Sequence, residues 1–199
     1  MPGSKGSKKL IAVPENILND LASIAKRSGL TVSELVTLIL SFAVRAFHGK
    51  DNISSIFTEA ILLTDMHRLG GVMVPQRGLS QLIDSVNPVT RDKFIAEIQS
   101  LAASIAVSVK LRNMDNVTPK DIIYLFIPNA SIDEIDDDYN GKIVITLAEP
   151  VSENMIELLK AISTKILEAW GLQVNNVESY SSILVVEYIK PAGEQGKKR

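Results

Sequence analysis

Cysteine is absent from this chain of 199 residues, so neither a disulfide nor a thiolate metal site contributes to its stability or chemistry. Histidine occurs only at 48 and 67, and neither has a partner histidine one helical turn away, which removes the usual zinc or nickel ligand set. There is no phosphate loop, no dinucleotide glycine fingerprint, no G-x-S-x-G and no H-E-x-x-H. The carboxylates lie in acidic, solvated stretches instead of apolar runs that would raise a pKa, so no catalytic constellation emerges. The chain reads as a protein that is not an enzyme and uses no cofactor. Long hydrophobic runs are missing too. The most apolar one, Leu35 to Phe47, is interrupted by Ser41 and Arg45 and falls short of the roughly 20 residues of a membrane span. Met1 is followed by a polar stretch without the apolar region of a signal peptide. A cytoplasmic, nucleoid-associated location with no membrane partner is the expectation.

What is present is the composition of a folded chain, with 46% hydrophobic residues and a mean hydropathy of +0.16. Its net charge of −2 hides an asymmetry. Residues 1–50 hold seven basic residues against three acidic ones, a balance of +4, while residues 51–199 hold fourteen against twenty, a balance of −6. A polyanion would be drawn to the front and repelled by the rear.

The front carries an order of elements that suits a two-chain DNA reader. A flexible basic tail (1–7) leads into an alternating stretch, Lys8–Val13, long enough for one strand and lacking any sheet partner in its own neighbourhood. Pro14 closes it. Ile17, Leu18, Leu21, Ile24 and Ala25 then recur at helical spacing until Gly29, whose tolerance of positive φ suits a helix end. Thr31-Val32-Ser33-Glu34 matches a capping box that opens a second helix, apolar on almost every side from Leu35 to Phe47. A helix apolar all round must be buried all round, and fifty residues cannot do this alone. Pairing of the lone strand with that of a second chain would give a two-stranded ribbon of the width of a DNA major groove.

This segment resembles the ribbon-helix-helix family of MetJ/Arc/CopG-type DNA-binding proteins. The resemblance rests on Lys8-Lys9-Leu10-Ile11-Ala12-Val13, the Pro14-Glu15 start of the first helix, the Gly29-Leu30-Thr31 turn and the apolar second helix. It covers about a quarter of the chain and implies an intertwined homodimer, with the strands in the major groove. Residues 8–50 then form a DNA-binding and dimerisation domain. Ile11, Val13, Leu35, Ile39 and Phe42 would lie at the dimer interface, and Lys8, Leu10 and Ala12 would face the groove. Thr31, Val32 and Ser33 would hold a backbone phosphate, as free amides and the helix dipole also favour. Lys5 and Lys9 join the DNA-contacting set.

The rear, 51–190, reads as an α+β domain of several helices on a small, mostly antiparallel sheet, followed by a flexible charged tail (191–199). Helices are expected from Ile53 to about Gly70, over Leu79–Val86, from a Thr90 cap to about Arg112, and after Thr118-Pro119-Lys120-Asp121 up to Pro128. Ser131–Asp136 and Lys142–Leu147 would flank an Asn140-Gly141 turn, Ser152–Trp170 forms a long helix, and Leu172–Val177 pairs with Ser182–Ile189.

The stretch Asp136-Asp137-Asp138-Tyr139-Asn140-Gly141-Lys142-Ile143 copies the opening of an EF-hand calcium loop, with Asp136, Asp138 and Asn140 as its ligands. Position 12 is Leu147, not the bidentate Glu, so an acidic hairpin turn is the preferred reading. Two function classes follow. One is a dimeric DNA-binding transcriptional regulator, for instance a repressor, whose rear senses a small molecule or protein. The other is an interaction, scaffold or low-specificity chromatin-like protein that uses the front mainly as a dimer clasp. Leu10 and Ala12 touch thymine methyls but form no bidentate hydrogen bonds to bases, which keeps the second class open.

Overall fold

The computed structural model describes residues 10–48, 53–114, 116–137 and 139–191. They belong to two compact units, Met1–Ile53 and Ser54–Arg199. In the first, α1 (Glu15–Arg27) and α2 (Val32–Phe47) are bent by 99°. Pro14 presets the backbone ahead of α1, Glu15 stands in its first turn, and Lys26 and Arg27 in its last complement the helix dipole. Gly29 takes φ +67°, and Leu30 N–H reaches the Ala25 carbonyl at 2.9 Å, closing the helix end. Among the described residues of this unit only Ala25 and Leu35 are buried.

The expected strand at 8–13 is corrected in its described part. Lys8 and Lys9 lie outside the described residues, and Leu10–Val13 form no ladder. The described residues of the first unit include no strand to pair with them, and a strand without a neighbour has no hydrogen bonds to hold it extended.

The second unit is α+β. Its helices are α3 (Ile53–Arg68), α4 (Gln76–Ser85), α5 (Pro88–Leu111), α6 (Pro119–Phe126) and α7 (Glu153–Trp170). Its strands are β1 (Ala130–Asp136), β2 (Asn140–Leu147), β3 (Gln173–Tyr180) and β4 (Ile183–Ile189), arranged β1-β2-β4-β3 with every pair antiparallel. Each hairpin pairs with itself, and β2 joins β4 to make one sheet. The period-two alternation sends Ile132, Ile143, Ile145, Leu184, Val186 and Tyr188 to one buried face. Helix α7 lies against β3 and β4 on that side, and α5 packs on α7. Helix α7 therefore buries Ile156, Leu159, Ile162, Ile166 and others around much of its circumference.

Several boundaries have local causes that differ from the expectation. The cap of α5 is Asn87, whose side chain accepts from Thr90 N–H at 3.0 Å; Thr90 sits inside the first turn, behind Pro88. The hairpin turn is not Asn140-Gly141. Those residues are already in β2, and Gly141 pairs with Asp136 on one side and Tyr188 on the other. Asp137 makes the turn, accepting through its carboxylate from the N–H groups of Tyr139 and Asn140 at 2.8 and 2.6 Å. Gly141 is needed for space: a Cβ there would stand 2.3 Å from Cζ of the buried Tyr188 ring. Strand β3 runs on to Tyr180 and carries an irregularity between Val174 and Asn176.

Helix α5 is long and apolar enough to cross a membrane by length and composition, with a mean hydropathy of 1.5 over an 18-residue window. Here Ala102, Ile105, Ala106 and Val109 are buried in the core. Asp65 is buried beside Arg112 and Arg68, which neutralise it.

Two stability changes follow from these contacts. Gly141→Ala is expected to destabilise the protein by about 1–3 kcal/mol, because the added methyl overlaps the Tyr188 ring. Ser163→Ala is expected to stabilise it by about 1 kcal/mol, since the Ser163 hydroxyl is fully buried and has no hydrogen-bond partner among the described residues. Urea unfolding of the full chain measures both, and opposite signs are required.

Candidate nucleic-acid interface

The corner between α1 and α2 is built by reciprocal bonds. Thr31 Oγ1 accepts from Glu34 N–H at 3.2 Å, and the Glu34 carboxylate accepts from Thr31 N–H and from the Thr31 hydroxyl, both at 2.8 Å. The capping box read from the sequence is present. Its consequence for anion binding is specific. The Thr31 amide and hydroxyl are already engaged, so of the three residues expected to hold a phosphate, Val32 and Ser33 keep amides that the box does not use. The backbone N–H of Thr31 holds the Glu34 carboxyl below its ordinary value, as does the Thr31 hydroxyl. A charged carboxylate thus stands at the helix start and opposes an incoming anion. On the α1 side, Lys26 and Arg27 are exposed and supply the compensating positive charge.

The residues expected to face the groove or a second chain are placed as follows. Leu10 and Ala12 are exposed, as is Ile11 at 74%. Lys5, Lys8 and Lys9 lie outside the described residues. Of the interface set, Val13, Ile39 and Phe42 are exposed, Phe42 at 62%. Leu35 is a correction. It is buried within its own chain, because the first turn of α2 folds back over α1, where Ala25 is buried as well. Exposed apolar side chains also include Leu38, Leu40 and Val44 on α2 and Ile17, Leu18 and Ile24 on α1. The helix that the spacing of these last three announced is present, and it leaves them at the surface. Among its described residues the unit buries two side chains and exposes this many, which calls for cover.

The acidic turn takes a different form from a calcium loop. Asp136 pairs with Lys190 Nζ at 2.6 Å, and Lys190 also donates to the Asp137 carbonyl at 2.8 Å. Backbone N–H groups of Asn140 and Tyr139 hold the Asp137 carboxyl below its ordinary value. Asn140 lies in β2, and Asp138 is outside the described residues. Among the described residues no group of three or more His, Asp or Glu converges to hold a metal ion. His48 and His67 are exposed.

No family model matches the chain, and no curated protein is similar to it.

The cap makes a pH-dependent prediction. Because the folded-state pKa of Glu34 is lowered, its contribution is complete above the ordinary glutamate range and is lost as pH falls through the lowered value. The protection of the Thr31 amide against exchange, taken relative to its intrinsic rate at the same pH and followed by NMR, should fall on acidification, whereas Glu34→Gln should remove that pH dependence of the protection. Thr31→Ala should destabilise α2 by about 1 kcal/mol. Protection of the Thr31 amide that is indifferent to pH would contradict this account of the cap.

Proposed function

We propose that the chain is a homodimeric DNA-binding regulator in which Leu10–Val13 of two copies pair as an antiparallel ribbon and enter the major groove. The observation that carries this reading is the combination of an unpaired segment of alternating sequence, Leu10–Val13, with the exposed apolar face of α2 in the same unit. One partner resolves both, since a second copy supplies the ladder for the strand and the cover for Ile39 and Phe42. The +4 balance of residues 1–50 and the exposed Lys26 and Arg27 favour a polyanion as ligand. Val32 and Ser33 are assigned to a backbone phosphate, Lys8, Leu10 and Ala12 to the groove, and Lys5 and Lys9 to flanking contacts. The rear unit, with its balance of −6, is assigned to sensing a small molecule or protein and tuning DNA affinity without touching DNA. The cytoplasm, in association with the nucleoid, is the compartment this reading requires.

A second reading rests on the apolar side chains of Leu10 and Ala12. Without bidentate hydrogen bonds, which discriminate bases by about 1–3 kcal/mol each, the ribbon would act as a dimer clasp or a low-specificity chromatin-like element. Salt separates the two classes. A DNA binder loses affinity linearly in log[salt], while a clasp gives no DNA shift at any salt.

Ile39→Asp is expected to abolish dimer and fold together, because a buried unpaired charge costs several kcal/mol. Lys8→Ala should weaken binding to all sequences alike and reduce the salt slope by about one, and Leu10→Ala should change the preference between sequences. Light scattering and fluorescence anisotropy measure these quantities. A wild-type monomer at micromolar concentration, or DNA binding unchanged in both variants, overturns the ribbon.

A further inference from the structure

Among the described residues of the second unit, helices pack on one face of the sheet, and its other face is patterned. Cross-strand register places Asp133, Val144, Val185 and Glu178 in one row from β1 to β3, so two valines on the central strands are flanked by a carboxylate on each edge strand. In the adjoining row Ile183 and Tyr180 extend the apolar strip, and both are exposed. Glu187 adds a third carboxylate opposite Lys142, the one cation in these rows. The carboxylates at this end are oriented: the Asn176 amide donates to Glu178 at 3.1 Å and to Glu187 at 3.3 Å, and the Tyr180 hydroxyl donates to Glu178.

We propose that this face is a docking surface for a cationic amphipathic helix of a partner protein. The dimensions set the orientation. Strands lie about 4.8 Å apart, so Asp133 and Glu178 stand about 14 Å apart across the sheet. A helix with its side chains is about 10–12 Å across, which seats it between the two edge carboxylates and along the strands. Its apolar stripe covers Val144, Val185, Ile183 and Tyr180, and Lys or Arg on both flanks of the stripe meet Asp133 on one side and Glu178 on the other. Charge complementarity selects this occupant: three carboxylates against one ammonium repel a copy of the same face and repel DNA. The surface therefore provides an input to the second unit that is independent of whether the first unit binds DNA.

The test uses the full chain, free of DNA, and two synthetic 18-residue helical peptides, one of Leu and Lys and one of Leu and Glu in the same amphipathic pattern. The Leu/Lys peptide is expected to bind and to shift the backbone NMR signals of Val144, Val185 and Ile183, and the Leu/Glu peptide is not. Val185→Lys should weaken the Leu/Lys peptide by more than about tenfold. The doubly neutralised variant Asp133→Asn with Glu178→Gln, altered only at exposed positions, should weaken it by about fivefold and flatten its salt dependence. Equal binding of the two peptides, shifts confined to α2, or unchanged affinity in both variants would overturn the proposal. So would a fall in the mass of the peptide-free protein on introducing Val185→Lys, because the face would then belong to a contact between copies.

Discussion

Apolar surface has to be covered, and the two units meet that requirement differently. Helix α7 is hydrophobic over much of its circumference, and the chain covers it on both sides: the sheet takes one face and α5 another, leaving Leu158, Leu159, Ile166 and Leu167 almost without exposure. Helix α2 is comparably apolar, yet among the described residues of its own unit α1 is the one helix packed on it, and Leu35 alone of α2 is buried. Phe42 and Val44 are left 62% and 71% exposed. Large apolar side chains in such numbers on one short unit mark an interaction surface. The proposed second copy is argued from this exposure, and the proposed DNA reading builds on it.

The same constraint explains the construction of the second unit. Caps decide where its helices start: Asn87 on α5, the Thr118–Asp121 box on α6 and Ser152 on α7 each satisfy an amide that would otherwise lack a partner. Asp84 then ties α4 to the start of α7, accepting from Ser152 and from Asn154 at 2.8 and 2.9 Å, while Arg91 of α5 donates to Asn154. These bonds hold three helices in place against the sheet, which in turn presents its patterned outer face.

Much of this was legible in residue order. Periodicity and capping residues announced α3 to α7, and alternation announced the strands, because each signal is local and is written within one turn or one strand pair. What was not legible depends on distant partners. The Asn140-Gly141 pair looks like a turn, but the reason for Gly141 is Tyr188, forty-seven residues away, whose ring takes the place of a side chain and whose hydroxyl donates to Glu134 at 2.9 Å. The pairing of β2 with β4 is likewise invisible locally. Residues assigned to the front site divide along the same line. The Thr31–Glu34 box is local and was legible in the sequence, while the loss of Thr31 as a free phosphate donor and the inward turn of Leu35 emerge only from the geometry.

The account stands on residues 10–13 pairing with their counterparts in a second copy. Hydrogen–deuterium exchange of the backbone amides of Leu10, Ile11, Ala12 and Val13, followed in the DNA-free full chain across a dilution series, addresses this directly. In an antiparallel pair only alternate residues exchange both bonds with the partner, so two of the four amides should be protected at high concentration and lose that protection together on dilution. Free exchange of all four amides at every concentration would contradict the account.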